Sequence, residues 1–161
     1  MNFATLKSLT LPQGKAVKIT QGSTVLWQAQ EQSEPIINLI DTVGVEAGKR
    51  LSSSGGTKDN AATFVTGAIR VQQGYIIRTS GANFINDGNA GVWCYRSDGS
   101  FWTMSYLYQT SSPVSVAAWD ITFDSSGNLV ITIKNDSVAS IRLCGIGTGA
   151  GLMVTKNQEI A

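Results

Sequence analysis

Histidine is absent from all 161 residues. That absence removes the commonest general base, the Ser-His-Asp arrangement and most zinc sites together. Charge is scarce too: Asp, Glu, Lys and Arg make up 14% of the chain, well under the roughly 25% usual in soluble domains. The 12 basic and 11 acidic residues nearly cancel, leaving a net charge of +1. No basic stripe is present to release counterions from a phosphate backbone, so nucleic acid is not an expected partner. No apolar run approaches the roughly 20 residues a membrane-crossing helix needs, and the first residues lack a signal-like pattern. The expectation is a chain made and kept in the cytosol until it joins something larger, with no membrane insertion. Only two cysteines occur, Cys94 and Cys144, and they match no paired metal-ligand spacing. They read as separate thiols in neighbouring or facing strands. A bond between them depends on whether those strands lie side by side, which stays open. Sustained 3.6-residue apolar periodicity and internal repeats are also missing, so little helix is expected.

What the chain does contain is enough apolar material, 42%, for one ordinary domain and a short appendage. The polar surface must then consist largely of Ser, Thr, Asn, Gln and Gly. Such a surface suits a β-protein that assembles with copies of itself, because charge at an interface costs desolvation energy.

Short alternating runs separated by turn residues dominate from residue 36 onward. The clearest is Asp120-Ile121-Thr122-Phe123-Asp124, then Ser125-Ser126-Gly127-Asn128, then Leu129-Val130-Ile131-Thr132-Ile133-Lys134, which reads as strand, tight turn, strand. Further strands are expected in Ile36–Ile40 (an opening strand or edge), at Arg50–Leu51, and in Thr66–Val71 and Tyr75–Thr79. Others fall in Gly91–Arg96, Phe101–Tyr108, Val114–Phe123, Ser140–Cys144 and Gly151–Thr155. Thr57–Ala62 suggests one helical turn. Turn signals every eight to twelve residues or so fit sandwiches and jelly rolls better than βαβ folds. Residues 1–34 differ in character: Leu9–Leu11 runs into Pro12-Gln13-Gly14, followed by Ala16–Thr20 and Thr24–Trp27. Two or three strands this short are marginal alone and must dock on something. Gln28–Pro35 has the composition of a linker. The expected fold is therefore all-β: a small hairpin-like N-terminal β module with its linker over residues 1–34, then a jelly-roll-like β-sandwich over residues 35–161.

Without histidine, catalysis would need paired carboxylates of the glycosidase kind. The candidates are Asp87, Asp98, Asp120 and Asp124. Three sit in turn sequences, where Asp bonds the local backbone, and only Asp120, between Trp119 and Ile121, resists that reading. The oxygen-rich runs Asn86–Asn89 and Asp124–Asn128 lack the full calcium-loop spacing with a distal Glu, so β-turns are expected and no metal. Gly145–Gly151 is glycine-dense but lacks the Lys-Ser/Thr of a phosphate loop and a following helix. It reads as an inter-strand loop, and no cofactor is expected. The aromatics carry more weight. Tryptophan and tyrosine can stack on a sugar's apolar face while donating a hydrogen bond. Trp93, Trp102, Tyr106 and Tyr108 are the candidates for glycan binding or for a subunit interface, with Trp102, Met104, Tyr106 and Tyr108 on one face by period-two counting. Trp93 and Trp119 also suit a core.

Two stretches carry a resemblance. Leu6–Thr20, continuing through Gly22 to Val25-Leu26-Trp27, is similar to a short module found near termini or between domains of bacteriophage virion proteins. Arg50–Gly55, Thr66–Arg78, Cys94-Tyr95 and Val154–Ile160 together resemble a β-sandwich domain of phage tail, baseplate and head-fibre proteins. The resemblance covers most of the chain but carries no catalytic signature. Its implication is a non-enzymatic virion protein made in the host bacterial cytoplasm: a head fibre or decoration protein, or a tail or baseplate accessory. Residues 1–34 would anchor it to capsid or tail, through Leu11, Pro12, Val17, Ile19, Val25 and Trp27. The sandwich would be displayed, as a homotrimer in keeping with virion symmetry, and could touch host-surface glycan with avidity from many copies. A stand-alone carbohydrate-binding module is the alternative, and a glycan hydrolase a more distant one.

Overall fold

The computed structural model describes residues 18–21, 24–28, 36–84, 89–107 and 113–157. The chain divides into two units, Met1–Pro35 and Ile36–Ala161. In the first, β1 (Lys18–Gln21) and β2 (Thr24–Gln28) form an antiparallel hairpin. Ile19 lies opposite Trp27 and Thr20 opposite Val25, with a register shift between Ile19 and Thr20.

The second unit opens with α1 (Ile40–Val43), β3 (Val45–Leu51), β4 (Thr57–Thr66) and β5 (Ile69–Arg70). Next come β6 (Ile76–Ser80), β7 (Gly91–Tyr95), β8 (Phe101–Tyr106) and β9 (Val114–Ser115). The unit ends with β10 (Trp119–Phe123), β11 (Leu129–Ile133), β12 (Ser140–Ile146) and β13 (Met153–Lys156). They build two antiparallel sheets. One has the order β13-β6-β11-β10-β9, the other β3-β4-β12-β7-β8, with β5 also paired to β12.

The expected hairpin of β10 and β11 forms in register, Trp119 opposite Ile133, Ile121 opposite Ile131 and Phe123 opposite Leu129. Its turn is local chemistry. The Asp124 carboxylate accepts from the backbone N–H groups of Ser126 (2.8 Å) and Asn128 (2.9 Å), as short acidic side chains do in turns. Along β11 burial alternates strictly, with Leu129, Ile131 and Ile133 inside. They meet Ile77, Trp119, Ile121 and Val154 from their own sheet and Phe64, Ile69, Val92, Cys94, Ile141 and Leu143 from the other. Both sheets thus share one core, each fully buried aliphatic side chain adding roughly 1.5–3 kcal/mol. Trp119 ties them together, its indole N–H donating to Ser105 Oγ of β8 at 3.0 Å.

Several expected elements differ. Thr66–Val71 is divided between the end of β4 and β5, and Val114–Phe123 between β9 and β10. Thr57–Ala62 lies in β4 rather than in a helical turn, because it pairs with β3: Thr57 opposite Leu51, Lys58 opposite Arg50, Asp59 opposite Lys49. Lys49 Nζ reaches Asp59 Oδ1 at 2.6 Å across that pair. Ile36–Ile40 is not a strand; the segment leads into α1. Asn38 explains why, since its side chain substitutes for a ladder. It donates to the Leu152 carbonyl (3.2 Å) and accepts from the N–H groups of Val154 (2.9 Å) and Ile40 (3.2 Å). The Leu39 N–H adds a bond to the Val154 carbonyl at 2.8 Å. At the far end of α1, the Gly67 N–H donates to the Gly44 carbonyl at 3.0 Å. Residues 38–44 therefore strap the β13 edge of one sheet to the β4–β5 connection of the other. Only glycine fits at position 67, where a Cβ would lie 2.2 Å from the Val43 carbonyl oxygen.

Cys94 and Cys144 are both buried. They occupy neighbouring strands, but Cys94 pairs with Ile141 while Cys144 pairs with Gly91. Cys94 faces the inter-sheet core and Cys144 packs in a separate cluster.

Candidate functional site

That separate cluster lies on the outer face of the six-stranded sheet. Leu51, Val65, Trp93 and Cys144 form it, with Tyr95, Phe101, Met104 and Tyr106 packed around. The Arg50–Gly55 run contributes the cover. Its Ser52–Gly56 turn lies against β7, where Trp93 donates its indole N–H to the Ser52 carbonyl (2.8 Å) and Tyr95 its hydroxyl to the Gly55 carbonyl (2.8 Å). Trp93 is consequently 0% exposed. It offers no face to a sugar or a partner chain, and only its role as a core residue fits. Tyr106 meets it edge to face, with ring centroids 5.4 Å apart, a geometry aromatic pairs favour.

The shared face expected for Trp102, Met104 and Tyr106 is broken. Opposite β7, Cys94 pairs with Thr103 but Tyr95 pairs with Phe101, a register shift that leaves Trp102 as the extra residue of a bulge. One inserted residue reverses the alternation beyond it. Met104 and Tyr106 therefore line the outer cluster, whereas Trp102 packs against the inter-sheet core. There the Arg96 guanidinium sits 5.3 Å above its ring centroid. Tyr108 lies outside the described residues, as do Leu11, Pro12 and Val17 among the expected anchoring residues. Ile19, Val25 and Trp27 fall in the β1–β2 hairpin. Of the three candidate aromatics among the described residues, Trp93 and Tyr106 are brought together and Trp102 is not.

The carboxylates are committed elsewhere. Asp120 accepts from Lys134 Nζ at 2.8 Å and Ser115 Oγ at 2.5 Å. The Lys134 bond first, then the Ser115 bond, hold its carboxyl below the usual carboxylate range. A general acid in glycoside cleavage needs the opposite shift. Asp124 is lowered by its Asn128 bonds, and Asp98 by Ser100, whose N–H it accepts at 2.8 Å. Both are turn residues, as expected; Asp87 lies outside the described residues. Among the described residues no three His, Cys, Asp or Glu side chains gather as metal ligands. No helix among them is long and apolar enough to cross a membrane. The glycine-dense loop answers to packing: a Cβ at Gly145 would lie 2.5 Å from the Phe64 ring, and one at Gly149 2.6 Å from Val45.

The described residues also form a concave site that no sequence motif marks. Leu39, Thr42 and Val43 of the strap, Ala68, Ile69 and Arg70 around β5, and Lys156 of β13 line a groove of about 350 Å³. Ile69 forms its buried floor; Arg70 and Lys156 stand exposed at its rim. Lys156 Nζ is held 4.6 Å above the Tyr75 ring, a cation–π contact. Thr42 Oγ1 donates to the Leu39 carbonyl at 2.8 Å. Three segments far apart in sequence supply these residues, and no motif within any one of them announces the groove. No family model matches the chain, and neither a curated protein nor a solved structure does.

Proposed function

We propose that this chain is a non-enzymatic structural protein of a bacteriophage particle. It would serve as a head fibre or decoration protein, or as a tail or baseplate accessory. Residues 1–34 anchor it, and residues 35–161 are displayed as part of a homotrimer that adheres weakly to host-surface glycan. The observation that carries the non-catalytic part is Asp120. The one described candidate carboxylate not explained by a turn is tied to Lys134 and Ser115, which hold it in its charged form rather than as a proton donor. The low charge of the chain favours packing against copies of itself. A jelly-roll likeness belongs to the same reading. It is supported by a chain that changes sheets between β5 and β6, β6 and β7, β8 and β9, β11 and β12, and β12 and β13. A free-standing carbohydrate-binding module is the second reading, favoured by the groove beside α1.

The test pairs the full chain with a variant lacking residues 1–34, each supplied to assembling phage particles. The full chain enters particles and has the light-scattering mass of three copies. The truncated chain keeps its β-type circular dichroism but is left out. Incorporation of the truncated chain refutes the anchor assignment, and a monomeric full chain that binds glycan favours the second reading.

A further inference from the structure

We propose that the groove between α1, β5 and β13 binds a carboxylated sugar residue of an anionic glycan. This rests on the adhesion reading and gives it a place and a ligand class. The floor is aliphatic, from Leu39, Val43 and Ile69, and matches the C–H face of a pyranose ring. The rim is cationic. Among the described residues the ion pairs are Lys49–Asp59 and Lys134–Asp120, so neither Arg70 nor Lys156 is neutralised there by a carboxylate. A guanidinium presents a planar fork that a carboxylate fills with two parallel hydrogen bonds. Arg70 supplies that fork, and Lys156, steadied on Tyr75, supplies a second positive charge. Thr42 spends its hydroxyl proton on the Leu39 carbonyl, which leaves its oxygen to accept from a sugar hydroxyl.

Size and surroundings narrow the occupant further. About 350 Å³ is at the lower end of the roughly 300–1,000 Å³ of small-molecule sites, suited to a sugar residue with its substituent. A peptide strand added to the neighbouring edge would need free backbone groups on β13. Asn38 and Leu39 already hold Leu152 and Val154 there. None of the lining residues is aromatic, so a nucleobase has no ring there to stack on.

The test uses the full chain and three immobilised saccharides: a galacturonate oligomer, its methyl ester and the neutral galactose oligomer. Wild type retains the galacturonate oligomer best, with retention falling as salt rises. The double variant Arg70→Gln/Lys156→Gln alters only exposed side chains, so its melting temperature stays at the wild-type value. It loses at least about tenfold in affinity for the acidic oligomer, the equivalent of one charge-assisted bond. Arg70→Lys, which keeps the charge but not the fork, falls between. Equal retention of acid and ester, or an unaffected double variant, overturns the groove assignment while leaving glycan adhesion standing. Retention of none of the three saccharides overturns the groove assignment and also removes its support from the adhesion reading.

Discussion

Replacing Trp93 by alanine separates a ring that holds the outer layer of the six-stranded sheet together from one displayed for binding. The side chain is fully buried, so the change exposes or empties about 200 Å² of apolar surface, roughly 5 kcal/mol at 25 cal/mol per Å². Tyr106, Met104 and Phe101 are only partly buried and can relax inward, which recovers part of that cost. The Ser52 carbonyl also loses its indole donor, a bond worth about 1 kcal/mol. The expected loss is therefore about 3–5 kcal/mol, within the range for aromatic-to-alanine changes in cores. For a unit of this size that lowers the melting temperature by roughly 10–20 °C. Trp102→Ala serves as the control: its ring is half-buried at the sheet edge, and it costs about 1–2 kcal/mol. Urea titration followed by circular dichroism measures both. A Trp93→Ala loss below about 1 kcal/mol, or one no larger than that of Trp102→Ala, refutes the argument that the Ser52–Gly56 turn seals a second hydrophobic layer.

Gly67→Ala places a methyl 2.2 Å from the Val43 carbonyl oxygen, so the strap must shift; thermal unfolding should reveal a loss of about 1–3 kcal/mol, and an unchanged midpoint refutes the close approach. Asp120 is held below its ordinary pKa by Lys134 and Ser115, so its stabilisation is present above the unfolded-state value near 3.9 and is lost as pH falls through the lower folded value. Denaturant midpoints measured from pH 6 down to pH 2 should accordingly fall less steeply for Asp120→Asn than for wild type. Burial raises the Cys94 thiol above its usual range and Cys144 is buried as well, so a thiol reagent should label neither in the native protein and both in denaturant; rapid native labelling refutes the burial.

The hairpin of β10 and β11 was legible because everything that defines it is local. Alternating Ile121, Phe123, Leu129, Ile131 and Ile133 set the inward face, and Asp124 closes the turn on its own backbone. Asp98 and Asp124 were legible as turn residues for the same reason. What escaped the sequence was decided across strands. Thr57–Ala62 has a composition open to a helical turn, and only the facing residues of β3 make it a strand. The alternation of β8 fails at Trp102 because β7 has no residue to match it, and nothing near Trp102 signals the mismatch. Trp93 stood open between core and display until the Ser52–Gly56 turn covered it. Lys134, 14 positions from Asp120, settled that carboxylate's role. The groove was hidden most thoroughly, since its walls come from residues near 40, 70 and 156.

The strap has a mechanical consequence. A pull transmitted along the backbone from residue 35 arrives first at Asn38 and Leu39, whose bonds hold the outermost strand of the smaller sheet. That load reaches the rim before it reaches the tryptophan-lined interior. In a pulling experiment from that end, the Asn38 and Leu39 bonds are expected to carry load before the contacts of Trp119 and β11 do.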